Sequence, residues 1–170
     1  TLVRSCSLIG HLDFQLHILG EETSNPEYSR QVRDLVASSG LDSRVFFHGH
    51  LPVEKLREFF CSSHVLANLS LWEGYGMAVV EALHSRLPVV AADCGAVPEL
   101  VEHGVQGYLV PPGDAEACAG YLEMLITSVE LREQLSDSAG KKAETLNKWR
   151  DTEAGFIALT EETAGMGKGI

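Results

Sequence analysis

The stretch Ser70-Leu-Trp-Glu-Gly-Tyr-Gly-Met-Ala-Val-Val-Glu-Ala-Leu83 reads as the end of a strand, a glycine turn and the opening of a helix. The apolar run Val65–Leu69 leads into it, and Met77–His84 carries the helix. Gly74 and Gly76 let the backbone turn sharply and approach a ligand, because no Cβ stands in the way. The first amides of a helix have no intrahelical acceptor, so those from about Gly74 to Met77 point at an anion such as a phosphate. Glu73 precedes this turn, and Glu81 follows Glu73 by eight residues. On a helix that spacing is a rotation of about 80° and a rise of about 12 Å. The two carboxylates therefore do not form the facing pair, roughly 5–9.5 Å apart, that hydrolyses a glycosidic bond. They suit hydroxyls at the two ends of an extended ligand with phosphates between, which is the shape of a nucleotide sugar.

On both sides of this segment short apolar runs alternate with helical periodicity. Phe14–Leu19 reads as a strand stopped by Gly20, and Tyr28, Val32, Leu35 and Val36 mark a helix that ends at Ser39-Gly40. Arg44–Phe47 is the next strand. Pro52 suits a first helical turn, and Leu56, Phe59 and Phe60 form the stripe of the helix it opens. Pro88–Ala92 reads as a strand, Pro98–Glu102 as a short helix and Gly107–Val110 as a strand closed by Pro111-Pro112-Gly113. Asp114 is an N-cap for a helix over Ala115–Thr127. Glu130–Ala139 and Lys142 to about Thr163 are expected as two more helices. The pattern predicts one Rossmann-like α/β domain over residues 1–163: a parallel sheet with helices on both faces, and extra C-terminal helices. The tail 164–170 lacks core residues and is expected to be disordered. Ligands of such sheets lie beyond the C-terminal strand ends, here Gly20–Glu22, His48–Leu51, Leu69–Met77 and Asp93–Val97.

Composition narrows the function classes. The 170 residues carry 13 Lys and Arg against 24 Asp and Glu, a net charge of −11. That balance offers no electrostatic footprint for a nucleic-acid backbone. The longest apolar runs, such as Leu87–Ala92, are far too short to span a bilayer, and no basic amphipathic surface marks the chain as membrane-bound. Cys6, Cys61, Cys94 and Cys118 are scattered, without a Cys-x-x-Cys pair, and read as buried thiols of a reducing compartment. With no secretory leader visible, the expected location is the cytoplasm.

The segment Ser70-x-x-Glu73-Gly-Tyr-Gly-Met-x-x-x-Glu81-Ala resembles the Glu-x7-Glu signature of retaining glycosyltransferases of the "glycosyl transferases group 1" type, which have the GT-B fold. The resemblance extends to His17-Ile-Leu-Gly20, Val45-Phe-Phe-His-Gly49-His-Leu, Leu87-Pro-Val-Val-Ala-Ala, Pro98-Glu99-Leu-Val and Gly104-x-x-Gly107-Tyr-Leu-Val-Pro-Pro-Gly-Asp114. It runs from about Phe14 to Asp114, with looser helical agreement through Trp149. It implies the C-terminal, donor-binding half of such an enzyme, with the N-terminal acceptor-binding domain absent. It implies that Glu73, the catalytic-site carboxylate, holds the donor sugar, and that the amides of Gly74, Tyr75, Gly76 and Met77 hold sugar and phosphate. Glu81 then binds the ribose hydroxyls, Leu51 lies against the nucleobase, and Gly20 belongs to the nucleotide site. The donor is a UDP-, GDP- or ADP-sugar, and neither a metal nor another cofactor is expected. Ala67-Asn68 depart from the family's strand end, and Arg30 and Lys55 do not match its diphosphate-binding cations. An isolated half is expected to fold yet to show little transfer.

Blander readings stand beside these. His48-Gly49-His50 reads as two turn histidines, since no third or fourth metal ligand is evident. Leu56, Phe59 and Phe60, like Leu122, Leu125 and Ile126, read as core stripes, Glu161-Glu162 as a solvated face, and Trp72 as either a shield of the site or a cap on the core. The rival functions are an NAD-binding oxidoreductase domain, a nucleotide-sugar epimerase and a non-catalytic nucleotide-binding half-domain. For the first, Gly74-x-Gly76-x-x-Val79 opens a helix and Asp93 ends the next strand, but the third glycine is missing and Glu81 is left without a role.

Overall fold

A computed structural model describes residues 1–146. In chain order the elements are α1 (Leu2–Leu8), β1 (Leu16–Ile18), α2 (Pro26–Ser38), β2 (Val45–Phe47), α3 (Val53–Ser62), β3 (Leu66–Asn68), α4 (Met77–His84), β4 (Val89–Ala92), α5 (Val97–Leu100), β5 (Gly107–Val110), α6 (Ala115–Thr127) and α7 (Val129–Thr145). All strand pairs are parallel, as the strand–helix alternation requires. The ladder divides into β1–β2 and β3–β4–β5, where the sequence predicts one sheet. Strands of three or four residues supply few ladder bonds, and no ladder joins the two pieces.

The core is built on β4. Val89 and Ala91 point to one face, where Val79, Ala82 and Leu83 of α4, Val97 and Val101, and Ala139 and Ala143 of α7 close over them. Val90 points to the other, with Ile9, Tyr108, Val110, Cys118, Leu122, Leu125 and Leu135. A strand buried on both faces explains why Val89–Ala92 is continuously apolar rather than alternating. A third cluster joins α1, α2 and β2 through Val3, Cys6, Val36, Leu41 and Val45.

Local chemistry sets the helix bounds. Asn25 caps α2 by accepting from the Tyr28 amide at 3.1 Å, with Pro26 in the first turn. Asp114 caps α6 as predicted, accepting from the Ala117 amide at 2.9 Å. Ser128 does the same for α7 through the Leu131 amide. The expected break after Ala139 does not occur, and α7 runs through Gly140. That glycine serves a close approach: a Cβ there would lie 3.1 Å from Nε of Arg86. Arg86 closes α4 in the left-handed region (φ 56°) and pairs with Asp137 of α7 at 2.5 Å. The helix expected to reach Thr163, the boundary at 163 and the tail 164–170 lie outside the described residues.

Two further expectations change. Only Cys6 and Cys118 are buried; Cys94 is half-buried and Cys61 exposed, because Cys61 falls on the outer side of α3. All four are free thiols, and burial beside Cys118 pushes the Cys6 thiol up to about 12. On α3 the stripe Leu56, Phe59 and Phe60 is only half-buried, unlike Leu122 and Leu125 of α6. No described helix is long and apolar enough to cross a membrane.

Candidate donor-binding site

The sequence-predicted loops meet at the C-terminal strand ends, joined by backbone hydrogen bonds in two pairs. Gly20 N–H donates to the Gly49 carbonyl at 2.9 Å, tying the turns after β1 and β2. Ala96 N–H donates to the Glu73 carbonyl at 3.0 Å, tying the turns after β3 and β4. Gly95, with φ 55°, packs so closely there that a Cβ would fall 1.8 Å from the Glu73 carbonyl oxygen. Cys94 Sγ donates to the Ser70 carbonyl at 3.3 Å.

Glu73 is half-buried, and its carboxylate is held from three directions. Gly76 N–H donates to Oε1 at 3.1 Å, while Asn68 Nδ2 and Ser70 Oγ each reach Oε2 at 3.5 Å. Ser70 Oγ also donates to Asn68 Oδ1 at 2.9 Å, so the two polar side chains brace each other. Asn68 is thus a positioning residue that sequence reasoning registers only as a departure at the strand end. Gly76 is buried and takes φ 81°, where an added Cβ would meet Leu100 Cδ1 at 2.6 Å. Its amide is engaged by Glu73, whereas Met77, Ala78 and Val79 open α4 without intrahelical acceptors; the first helical bond is from Val80 N–H to the Gly76 carbonyl. Gly74, Tyr75 and Met77 are exposed around this opening.

Glu81 is exposed on α4 and does not meet Glu73. It lines a groove of about 250 Å³ between α3 and α4, with Val53, Leu56, Arg57, Phe60, His84 and Ser85. Gly20 lines a separate cleft of about 160 Å³ with Glu21, Glu22, Tyr28 and Phe47 among its walls. Leu51 is half-buried and borders neither cavity. The structure therefore brings Glu73 to the glycine loop, sets Glu81 on the flank of α4 and leaves Gly20 and Leu51 on the β1–β2 side.

His48 finds its partner in His17 rather than in His50. His17 Nδ1 and His48 Nε2 lie 2.9 Å apart, and both rings pack on Phe59 of α3. Burial first, and the neighbouring His48 second, hold His17 below the usual histidine range. Glu21 is held below the usual carboxylate range by hydrogen bonds from the Thr23 hydroxyl and amide. Among the described residues no group of three His, Cys, Asp or Glu side chains is arranged to hold a metal ion. Trp72 does not cap the core: it is 76% exposed, with its ring against Gly74.

The parallel α/β layers match the C-terminal domain of a GT-B fold: a glycosyltransferase from Rickettsia africae superposes on 95% of this chain, and on 43% of its own, with a TM-score of 0.86 at 20% identity. The chain belongs to the family "Glycosyl transferases group 1", whose model matches residues 1–142. It is 41% identical over 86 residues to the trehalose phosphorylase of Pleurotus pulmonarius, covering 51% of this chain and 12% of that protein. It is 31% identical over 129 residues to the MMP alpha-(1->4)-mannosyltransferase of Mycolicibacterium hassiacum, covering 75% of this chain and 31% of that protein. Among solved structures, Anabaena Alr3699/HepE in complex with UDP-glucose matches with a TM-score of 0.83 at 25% identity, over 95% of this chain and 44% of that one. The chain thus spans less than half the length of each of these proteins.

Proposed function

We propose that this chain is the donor-binding half of a glycosyltransferase that moves a sugar from a nucleoside diphosphate to an acceptor with retention of anomeric configuration. The observation that carries the reading is the setting of Glu73. Its carboxylate is fixed by Asn68, Ser70 and Gly76 at the mouth of α4, beside helix-opening amides that have no internal acceptor. A sugar hydroxyl on the carboxylate and a phosphate on those amides is the pairing that a nucleotide sugar supplies. Glu81, in the α3–α4 groove, takes the ribose hydroxyls, and the loops at Gly20 and Leu51 face the base. Preorganised amides also stabilise the charge that grows on the departing diphosphate, without the cost of reorienting water. The similarity to Alr3699/HepE, which binds UDP-glucose, supports a nucleotide-sugar donor. The reaction is assigned to a cytoplasmic protein that needs no metal and takes its acceptor on a separate domain.

A second reading follows from the 41% identity to a trehalose phosphorylase. In it the same amides hold inorganic phosphate or a sugar 1-phosphate, and Glu81 has no ribose to bind. One calorimetric titration separates the two, using UDP, GDP, ADP, their glucose and mannose conjugates, glucose 1-phosphate and NAD. The nucleotide-sugar reading expects saturable binding of one nucleoside diphosphate, weakened about tenfold or more in Glu81→Ala. Glu73→Ala is expected to abolish the preference for the sugar conjugate over the bare nucleotide. Binding of glucose 1-phosphate alone supports the phosphorylase reading, and binding of NAD alone refutes both.

A further inference from the structure

His17 and His48 stand apart from the glycine loop, and no role assigned above uses them. His17 Nδ1 lies 2.9 Å from His48 Nε2, and the His17 ring stacks on Phe46 with centroids 5.3 Å apart. Phe59 of α3 lies against both imidazoles, at 5.3 and 4.6 Å between centroids. These rings fill the space between α3 and the β1–β2 ladder, where no aliphatic core does so. α3 has no fully buried residue, and among the described residues only its Phe60 packs on an apolar cluster, that of β4. The pair also sits where the nucleotide side is held together. His48 N–H donates to the Ile18 carbonyl at 3.0 Å, and the next residue, Gly49, accepts from Gly20 N–H. α3 itself walls the groove at Glu81.

Two imidazoles in contact hold a limited number of protons. In the neutral pair one facing nitrogen donates its N–H and the other accepts. A first added proton goes to the outward nitrogen of the donor ring and leaves the contact intact. A second sets two N–H groups head to head at 2.9 Å, on rings of like charge whose centroids are 5.1 Å apart. No carboxylate relieves that repulsion. α3 turns Phe59 to the pair, and β2 turns Phe46. Lys55 and Glu58 of α3 pair with each other at 2.7 Å, Arg57 lines the groove with Glu81, and Glu54 is exposed in the first turn. His50 acts on Glu21 instead. Burial first, and His48 second, are what hold His17 below the usual histidine range. We infer that the His17–His48 contact is a proton-operated latch on the nucleotide side of the site, closed while the rings share an N–H and opened when both are charged, which frees α3 and the Gly49 turn from β1. Its effect on ligands rests on the donor-site reading above; the latch itself does not.

Two loop-tying hydrogen bonds give an internal comparison on the 170-residue chain. Gly20 N–H to the Gly49 carbonyl lies beside the latch, and Ala96 N–H to the Glu73 carbonyl lies away from it. Amide exchange followed by NMR from pH 7.5 to 5, corrected for its intrinsic pH dependence, is expected to show Gly20 losing protection roughly three- to tenfold more than Ala96. His48→Gln keeps a hydrogen-bonding side chain that cannot take a charge, so this difference should vanish in it. Calorimetry with UDP, GDP and ADP at both pH values reads the consequence. Their phosphates titrate alike against either protein, so the loss that counts is the part absent from His48→Gln, roughly threefold or more. Equal loss at Gly20 and Ala96, or a Gly20 loss that persists in His48→Gln, overturns the latch. Opening at Gly20 without a matching change in nucleotide affinity, or with no nucleotide bound at either pH, upholds the latch and overturns the placement of the nucleotide on these loops instead.

Discussion

The two halves of the site are built differently. Around Glu73, every support comes from the three-stranded piece: the doubly buried β4, Gly95 against the Glu73 carbonyl, Asn68 and Ser70 on the carboxylate, and Leu100 against Gly76. On the other side, β1 and β2 form a ladder of their own, α3 contributes no fully buried residue, and the turns at Gly20 and Gly49 are joined by one backbone bond. A site that must stabilise charge gains from rigidity where charge moves. It needs much less of it where a ligand is only gripped. The half beside Glu73 is accordingly the more firmly braced one, and under the proposed function the β1–β2 half has only to grip the base.

The sharpest way to break this contrast is Gly95→Ala. A Cβ 1.8 Å from a backbone oxygen, at φ 55°, forces the β4 and Glu73 loops apart. We expect a loss of roughly 2–4 kcal/mol in urea unfolding together with loss of the preference for sugar conjugates. Gly49→Ala, also at positive φ but with nothing within 4 Å, is expected to cost only about 1 kcal/mol and to keep that preference. Equal damage from both would remove the distinction. Next in size is Asn68→Ala, which frees one side of the Glu73 carboxylate. It should weaken binding of the sugar conjugate roughly three- to tenfold and leave the bare nucleotide unaffected, as read by calorimetry.

The third probe is pH, and it acts on the softer half. Because His17 sits below the usual range, the unfolded chain binds the proton more readily than the folded one. The stability contributed by His17 is therefore complete above about pH 6.5, the unfolded value, and is lost as pH falls below it. Urea midpoints measured from pH 7.5 to 5 should drop, and His17→Phe should flatten the fall. An unchanged slope in that variant would place the effect elsewhere. Smallest is Arg86→Gly. Relief of the left-handed strain outweighs an exposed ion pair with Asp137, for a net gain of about 0.5 kcal/mol in thermal unfolding.

The parts legible in the sequence were those written in local chemistry. Met77–His84 and Gly107–Val110 fall where the periodicity puts them, and Asp114 caps α6 because an N-cap needs only its own next turn. The glycine loop after Glu73 was legible for the same reason. What escaped depends on residues distant in the chain. Gly140 looks like a helix stop until Arg86, 54 positions earlier, is seen lying over it. His48 looks like half of a His-x-His turn until His17 arrives from the neighbouring strand. Asn68 looked like a mismatch because its value lies in the carboxylate it holds, and the groove that α3 forms beside Glu81 has no signature in either segment alone. The division of the ladder between β1 and β3 has no local signature at all.

The strand Val89–Ala92 sets a boundary on how this domain can change over time. With both of its faces closed, it has no solvent side on which a polar substitution can be tried at low cost. Neighbouring Gly107 is locked to it as well, since a Cβ there would fall 1.8 Å from the Val89 carbonyl oxygen. Polar substitutions are therefore tolerated at the loop tips and along the half-buried α3 far more readily than on the strand beneath them, where each would bury a polar group without a partner.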